Sequence, residues 1–193
     1  MNKEDCLDLS AYSEEASRAM IKWLYTDAAP AMKEDAMIEL MHMAKAFDLV
    51  DLSRRSEEAL KPMITRSNCV KFYQLAEEIE SKELIDYTGN IVSENWDQLG
   101  PEELESVKAP LLFEMLKRKS QHPLHRAIKA LREDVVFLYL IEFNADLAVQ
   151  LNAPDENGAY PLDIAMAVKN ESLGKILVSH GANINRKSDQ GRD

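Results

Sequence analysis

Four histidines and two cysteines are the side chains of this chain best suited to metal or nucleophile chemistry. His122 and His125 stand three apart across a helix start, so both rings can approach one ion. A zinc site needs a third protein ligand, and none is evident. Cys6 and Cys69 have no spacing for a metal-binding pair and suggest no disulfide framework. Cys69, beside Val70, reads as a buried thiol. His42 lies between Met41 and Met43 at a helix edge. His180 precedes Gly181 at a helix end, where an imidazole suits the dipole. No nucleophile has a base and an orienting acid in view, and no glycine-rich phosphate loop is present. Glu77-Glu78 and Glu102-Glu103 read as solvated helix faces. The reading is a chain with no catalytic residues, no cofactor and no metal.

The formal net charge is -11. Phosphate backbones and anionic lipid need a positive surface field, so no nucleic-acid partner is expected. Lys117-Arg118-Lys119 falls at a predicted helix end, where cations match the helix dipole. MNKEDCLDLS lacks the apolar run of a signal peptide, and no stretch approaches the length of a membrane span. These features predict a cytoplasmic chain without membrane insertion.

The elements behind these side chains are helices. Apolar residues recur at spacings of three and four, glycine is scarce and alternating β-branched runs are few, so an all-α fold is expected. Ser13 with Glu14 and Glu15 starts a first helix, with Ala16, Met20, Trp23, Leu24 and Asp27 near one face. Ala29-Pro30 punctuates it. A stripe of Met37, Leu40, Met41, Ala44 and Phe47 marks the next, read as core rather than a binding face. Another runs near Leu52 to Leu60 until Lys61-Pro62 breaks it. Val70, Tyr73 and Leu75-Ala76 mark a fourth helix, and Ser81 caps a fifth through Leu84, Ile85, Thr88, Ile91 and Val92. Gly100-Pro101 and Ala109-Pro110 each start a short helix.

From residue 120 onward one plan occurs twice. HPLHRAIKALREDVVFLYLIEFNADL holds two helices divided near Leu131 to Glu133. PLDIAMAVKN and SLGKILVSHGANIN hold two more, with Pro161-Leu162 following Pro123-Leu124 by 38 residues. The second unit resembles an ankyrin repeat through Asn157-Gly158, Pro161-Leu162, Ala165, Ile176-Leu177 and Gly181-Ala182-Asn183-Ile184-Asn185. Pro161 suits a first helical turn, and Gly181 permits the positive φ of a helix exit. Departures are clear. His122 and Tyr160 stand where the family carries a capping Thr, and Asp163 replaces the motif histidine that His125 supplies. The first unit also carries Asn144-Ala145 in place of the terminal Gly-Ala, so it reads as an irregular end-capping relative. A third unit begins at Gln190-Gly191, as in a fragment of a longer array. One hairpin cannot bury its apolar face alone, so Leu116, Leu124, Ile128 and Val136 are expected to pack together.

Upstream, RAMIKWLYTD and ELMHMAKAFDLVDLSRRSEEAL resemble the last helices of a BTB domain. NCVKFYQLAEEIESKELIDYTGNIVSENWDQL and LLFEMLKRK resemble a BACK domain. The expected organisation is a BTB C-terminal part at 1–62, a BACK-like helical region at 63–119 and ankyrin repeats at 120–193. The fold expectation is thus an all-α bundle, BTB-terminal and BACK-like, continuing into an ankyrin hairpin stack. This order resembles the early-endosomal proteins that carry ankyrin repeats and a FYVE finger. That resemblance implies a non-enzymatic protein-binding scaffold, peripheral on early endosomes. Its implied partners are the small GTPase Rab5 or endosomal trafficking proteins, in endocytosis and macropinocytosis. The family's zinc-binding FYVE finger has no ligand set here. The alternative is a substrate adaptor for a cullin-3 ubiquitin ligase, with Leu40 to Phe47 and Asn68 to Ala76 nearest that surface. The protein-binding candidates are Tyr160, Asp155, Glu156 and His122. Tyr160 is either an exposed anchor at the turn or a structural cap over the Pro123 unit.

Overall fold

A computed structural model describes residues 8–27 and 32–185. Cys6, Ala29-Pro30 and the third-unit start at Gln190-Gly191 lie outside the described residues. Twelve α-helices follow in order among them: α1 (Glu14–Thr26), α2 (Glu34–Ala46), α3 (Val50–Leu60), α4 (Cys69–Glu78), α5 (Lys82–Glu94), α6 (Pro101–Glu105), α7 (Ala109–Lys119), α8 (Pro123–Lys129), α9 (Glu133–Glu142), α10 (Leu147–Gln150), α11 (Pro161–Ala167) and α12 (Glu171–Ser179). Two compact units divide the chain, Met1–Ile91 and Val92–Asp193.

The helix boundaries follow from local chemistry. Ser13 Oγ accepts from the Ala16 backbone N–H, and Ser81 Oγ accepts from Leu84, so each hydroxyl satisfies an orphan donor of a first turn. Lys61-Pro62 ends α3 in a short 3-10 turn. Pro101, Pro110, Pro123 and Pro161 all fall in first helical turns, where the missing N–H costs nothing.

In the first unit, α2 packs on α1 and α3. Met20, Met37, Leu40, Met41, Met43, Leu52 and Phe72 are buried, so the methionine stripe is core. Ion pairs tie α4 and the following turn to the same helices: Lys71 to Glu34 at 2.8 Å and Lys45 to Glu80 at 2.9 Å. In the second unit, α7 packs on α8 and α9, α8 on α9 and α11, and α11 on α12. Leu116, Leu124, Ile128 and Val136 are all buried together there, none more than 2% exposed.

One turn recurs in both units. Asp48, Glu80, Leu131 and Lys169 adopt left-handed φ of 54°, 60°, 57° and 56° between consecutive helices. In each case the next residue's N–H returns to the carbonyl of a buried alanine five positions back: Leu49 to Ala44, Ser81 to Ala76, Arg132 to Ala127, Asn170 to Ala165. This is the Schellman arrangement, which satisfies the last carbonyls of one helix and redirects the chain. The alanine leaves room for the returning backbone. The fold is a set of such helical hairpins, ankyrin-like in plan.

The BTB and BACK assignments are corrected by this architecture. A BTB domain is organised on a β-sheet, and no strand occurs among the described residues. The BACK reading, made from two helical segments, is withdrawn with it, since the described residues form ankyrin-like helical hairpins. So is the cullin-3 alternative, which required that surface.

Candidate functional site

The loop between α10 and α11 carries three of the four candidate residues and faces the fourth. Its core is Asp155. The Asp155 N–H donates to the Ala159 carbonyl at 2.8 Å, and the Gly158 N–H donates to the Asp155 carbonyl at 2.9 Å. The Asp155 Oδ1 accepts from the backbone N–H of Asn157 and of Ala159, at 3.0 and 2.9 Å. Lys129 on α8 reaches the other carboxylate oxygen at 3.4 Å. Gly158 completes the turn at φ 77°, a region where a side chain is strained. The result is an Asx-type turn whose polar groups are satisfied internally.

Asp155 is accordingly buried, with 7% of its surface exposed. Burial alone pushes its carboxyl up. The hydrogen bonds from Ala159, Asn157 and Lys129, with the ammonium charge, outweigh that and hold it below the ordinary carboxylate range. Asp155 therefore braces the tip from inside rather than presenting a surface.

Glu156 is the exposed acid of the tip, and its carboxylate lies 3.1 Å from His122 Nε2. His122 packs edge-on to His125 with ring centroids 5.3 Å apart. His125 is buried, and its Nε2–H donates to the Ala153 carbonyl at 3.1 Å. Burial, ahead of every other influence, lowers the His125 pKa below 6.5 and keeps the ring neutral. The motif histidine thus ties α8 to the loop. The two histidines and Glu156 form no metal centre: no group of three or more His, Cys, Asp or Glu suited to a metal occurs among the described residues.

Tyr160 is half-exposed at the N-terminal end of α11. Neither Tyr160 nor His122 caps its helix with its side chain. Asp163 takes over at α11, accepting from the Tyr160 N–H at 3.4 Å. This gives the replaced motif position a local role. Glu156 and Tyr160 stand on this loop, and His122 faces it through its contact with Glu156. Sequence reasoning missed Lys129, which anchors the turn, and Asn152, which accepts from the Asn183 N–H and donates to the Gly181 carbonyl. The Asp-x-Asn-Gly spacing was the available signal for the turn. Elsewhere, Cys69 is buried, with its thiol 3.2 Å from the Arg66 carbonyl. His180 Nδ1–H donates to the Ile176 carbonyl at 2.8 Å, which satisfies the end of α12. No helix is long and apolar enough to cross a membrane among the described residues.

Against known proteins, no family model matches the chain. It is 41% identical over 186 residues to Rabankyrin-5 of Homo sapiens and 40% identical over 186 residues to Rabankyrin-5 of Mus musculus. Each alignment covers 96% of this chain and 16% of the relative. The chain thus spans about a sixth of the length of the curated relatives it matches.

Proposed function

We propose that this chain is a non-enzymatic protein-binding scaffold segment acting in endosomal trafficking. The observation that carries the reading is the similarity to Rabankyrin-5 along nearly the whole chain. The partner we assign is a small GTPase of the Rab5 type or a protein that works with it, with a peripheral place on early endosomes. The process would be endocytosis and macropinocytosis. The docking face is the tip carried by the ankyrin-like stack at 120–193: Glu156, Tyr160 and His122 outside, Asp155 as the internal brace. A preset tip loses little conformational freedom on binding, and a tyrosine contributes apolar area with a polar end.

The test is direct binding of the purified chain to Rab5 loaded with a GTP analogue or with GDP. Binding that prefers the GTP form and weakens with Tyr160→Ala and Glu156→Lys is expected. Binding indifferent to both tip substitutions would remove the tip from the docking face. Absence of binding to either form would remove the GTPase as a direct partner.

A further inference from the structure

We infer that Asn157 is a site of spontaneous covalent modification, deamidation through a succinimide, gated by the Asp155 turn. Asn157 is the one asparagine in the sequence followed by glycine. Gly158 has no Cβ, so its backbone nitrogen reaches the Asn157 Cγ without the steric block of a side chain. Nothing lies within 4 Å of the position that a Cβ would take there. Both residues are exposed, so water has access.

Two other asparagines of this region, Asn152 and Asn170, are tied down. Asn152 donates to the Ala148 and Gly181 carbonyls, and Asn170 accepts from Leu173 while donating to Glu133. Asn157 enters the turn through its backbone N–H, which donates to Asp155. Its side-chain amide has no hydrogen-bond partner among the described residues.

The chemistry balances with water as the co-reactant. The Gly158 nitrogen attacks Asn157 Cγ, forming a C–N bond. The Cγ–Nδ2 bond breaks, and ammonia leaves with the proton given up by the Gly158 nitrogen. Water then opens the five-membered imide at either carbonyl. Opening at the side-chain carbonyl gives aspartate. Opening at the main-chain carbonyl gives isoaspartate, with the backbone rerouted through Cβ and Cγ. No oxidant or reductant takes part.

The fold sets the rate. The attacking nitrogen has its proton engaged with the Asp155 carbonyl at 2.9 Å. The Asp155 carboxylate holds the flanking N–H groups of Asn157 and Ala159. The nitrogen becomes nucleophilic only when this turn opens locally, so the reaction counts those openings. Its product places a new carboxylate next to Glu156 and, in the isoaspartate form, an extra atom in the backbone of the tip.

The experiment is peptide mapping by mass spectrometry after incubating the full chain at neutral pH, folded and in denaturant. IsoAspartate is scored by methyl transfer from an isoaspartyl methyltransferase. Modification at Asn157 ahead of every other asparagine is expected, faster in denaturant than in the folded chain. Asp155→Ala should speed the folded-state reaction about thirtyfold, since it removes both hydrogen bonds that the carboxylate accepts within the turn. The same variant should match the parent rate in denaturant, which separates the gate from intrinsic reactivity. If circular dichroism finds Asp155→Ala unfolded, Asp155→Asn, which keeps an oxygen acceptor, takes its place with a smaller acceleration. Earlier modification of another asparagine, or a folded chain that never modifies while the denatured chain converts fully, would overturn the site. Equal folded and denatured rates would overturn the gate.

Discussion

The hairpins α8–α9 and α11–α12 share a plan and differ in what covers them. Their turns superpose in kind: Leu131 and Lys169 are both left-handed, and both following N–H groups return to a buried alanine. Burial then diverges. Ile128 is 0% exposed and its counterpart Met166 is 70% exposed; Leu140 is 4% exposed and Val178 41%. Among the described residues, α8 packs on α7, α9 and α11, whereas α11 packs on α8 and α12. The backbone device is intrinsic to each hairpin, but the contribution of an apolar side chain depends on its neighbour. This is the energetic logic of stacked repeats, where interface terms dominate.

The sharpest test of that difference is truncation at equivalent positions. Ile128→Ala should cost about 3 kcal/mol in denaturant unfolding, and Met166→Ala less than about 0.5 kcal/mol. Equal costs would break the comparison. Next are the turn alanines. Ala127→Leu and Ala165→Leu should each destabilise by about 2 kcal/mol through overpacking, and Ala44→Leu and Ala76→Leu similarly if the four turns are one device. A neutral substitution at any of them would separate that turn from the rest. Smaller still, Lys169→Gly and Leu131→Gly should change stability by no more than about 1 kcal/mol, in the stabilising direction, because glycine removes the left-handed penalty.

The smallest effect is a pH slope carried by the first hairpin. His125 titrates below 6.5 in the fold because burial disfavours its charged form. The unfolded chain therefore binds more protons as pH falls past 6.5, and stability drops there. Above that value both states are neutral at this residue and its contribution is constant. His125→Asn should flatten the slope in urea titrations across that window.

Much of this was legible. Prolines and hydroxyl caps located helix starts, and the spacing of three and four marked the core, including Met37 and Met41. The left-handed turns were not, since none of Asp48, Glu80, Leu131 or Lys169 is glycine. The alanine four residues before each one was the readable sign, and only the ankyrin motif drew attention to it. Asp155 was named only as a binding candidate, and its part in the turn emerges when its oxygens are traced to local N–H groups. The upstream helices resembled the end of a sheet-based domain, but a helix pattern carries no information about a sheet. Tyr160, Asp155, Glu156 and His122 were named from sequence as candidates, whereas Lys129 and Asn152, whose partners lie far off in sequence, were not.

The methionine stripe has one more consequence. Met37, Met41 and Met43 are at most 2% exposed, while Met166 stands 70% exposed. A thioether becomes a sulfoxide where peroxide can reach it, and a buried sulfoxide is polar enough to disrupt its surroundings. Met166 therefore takes up oxygen at the pace of a free side chain, as an internal clock. Each lag of Met37, Met41 and Met43 behind it times how long the core of the first unit stays shut.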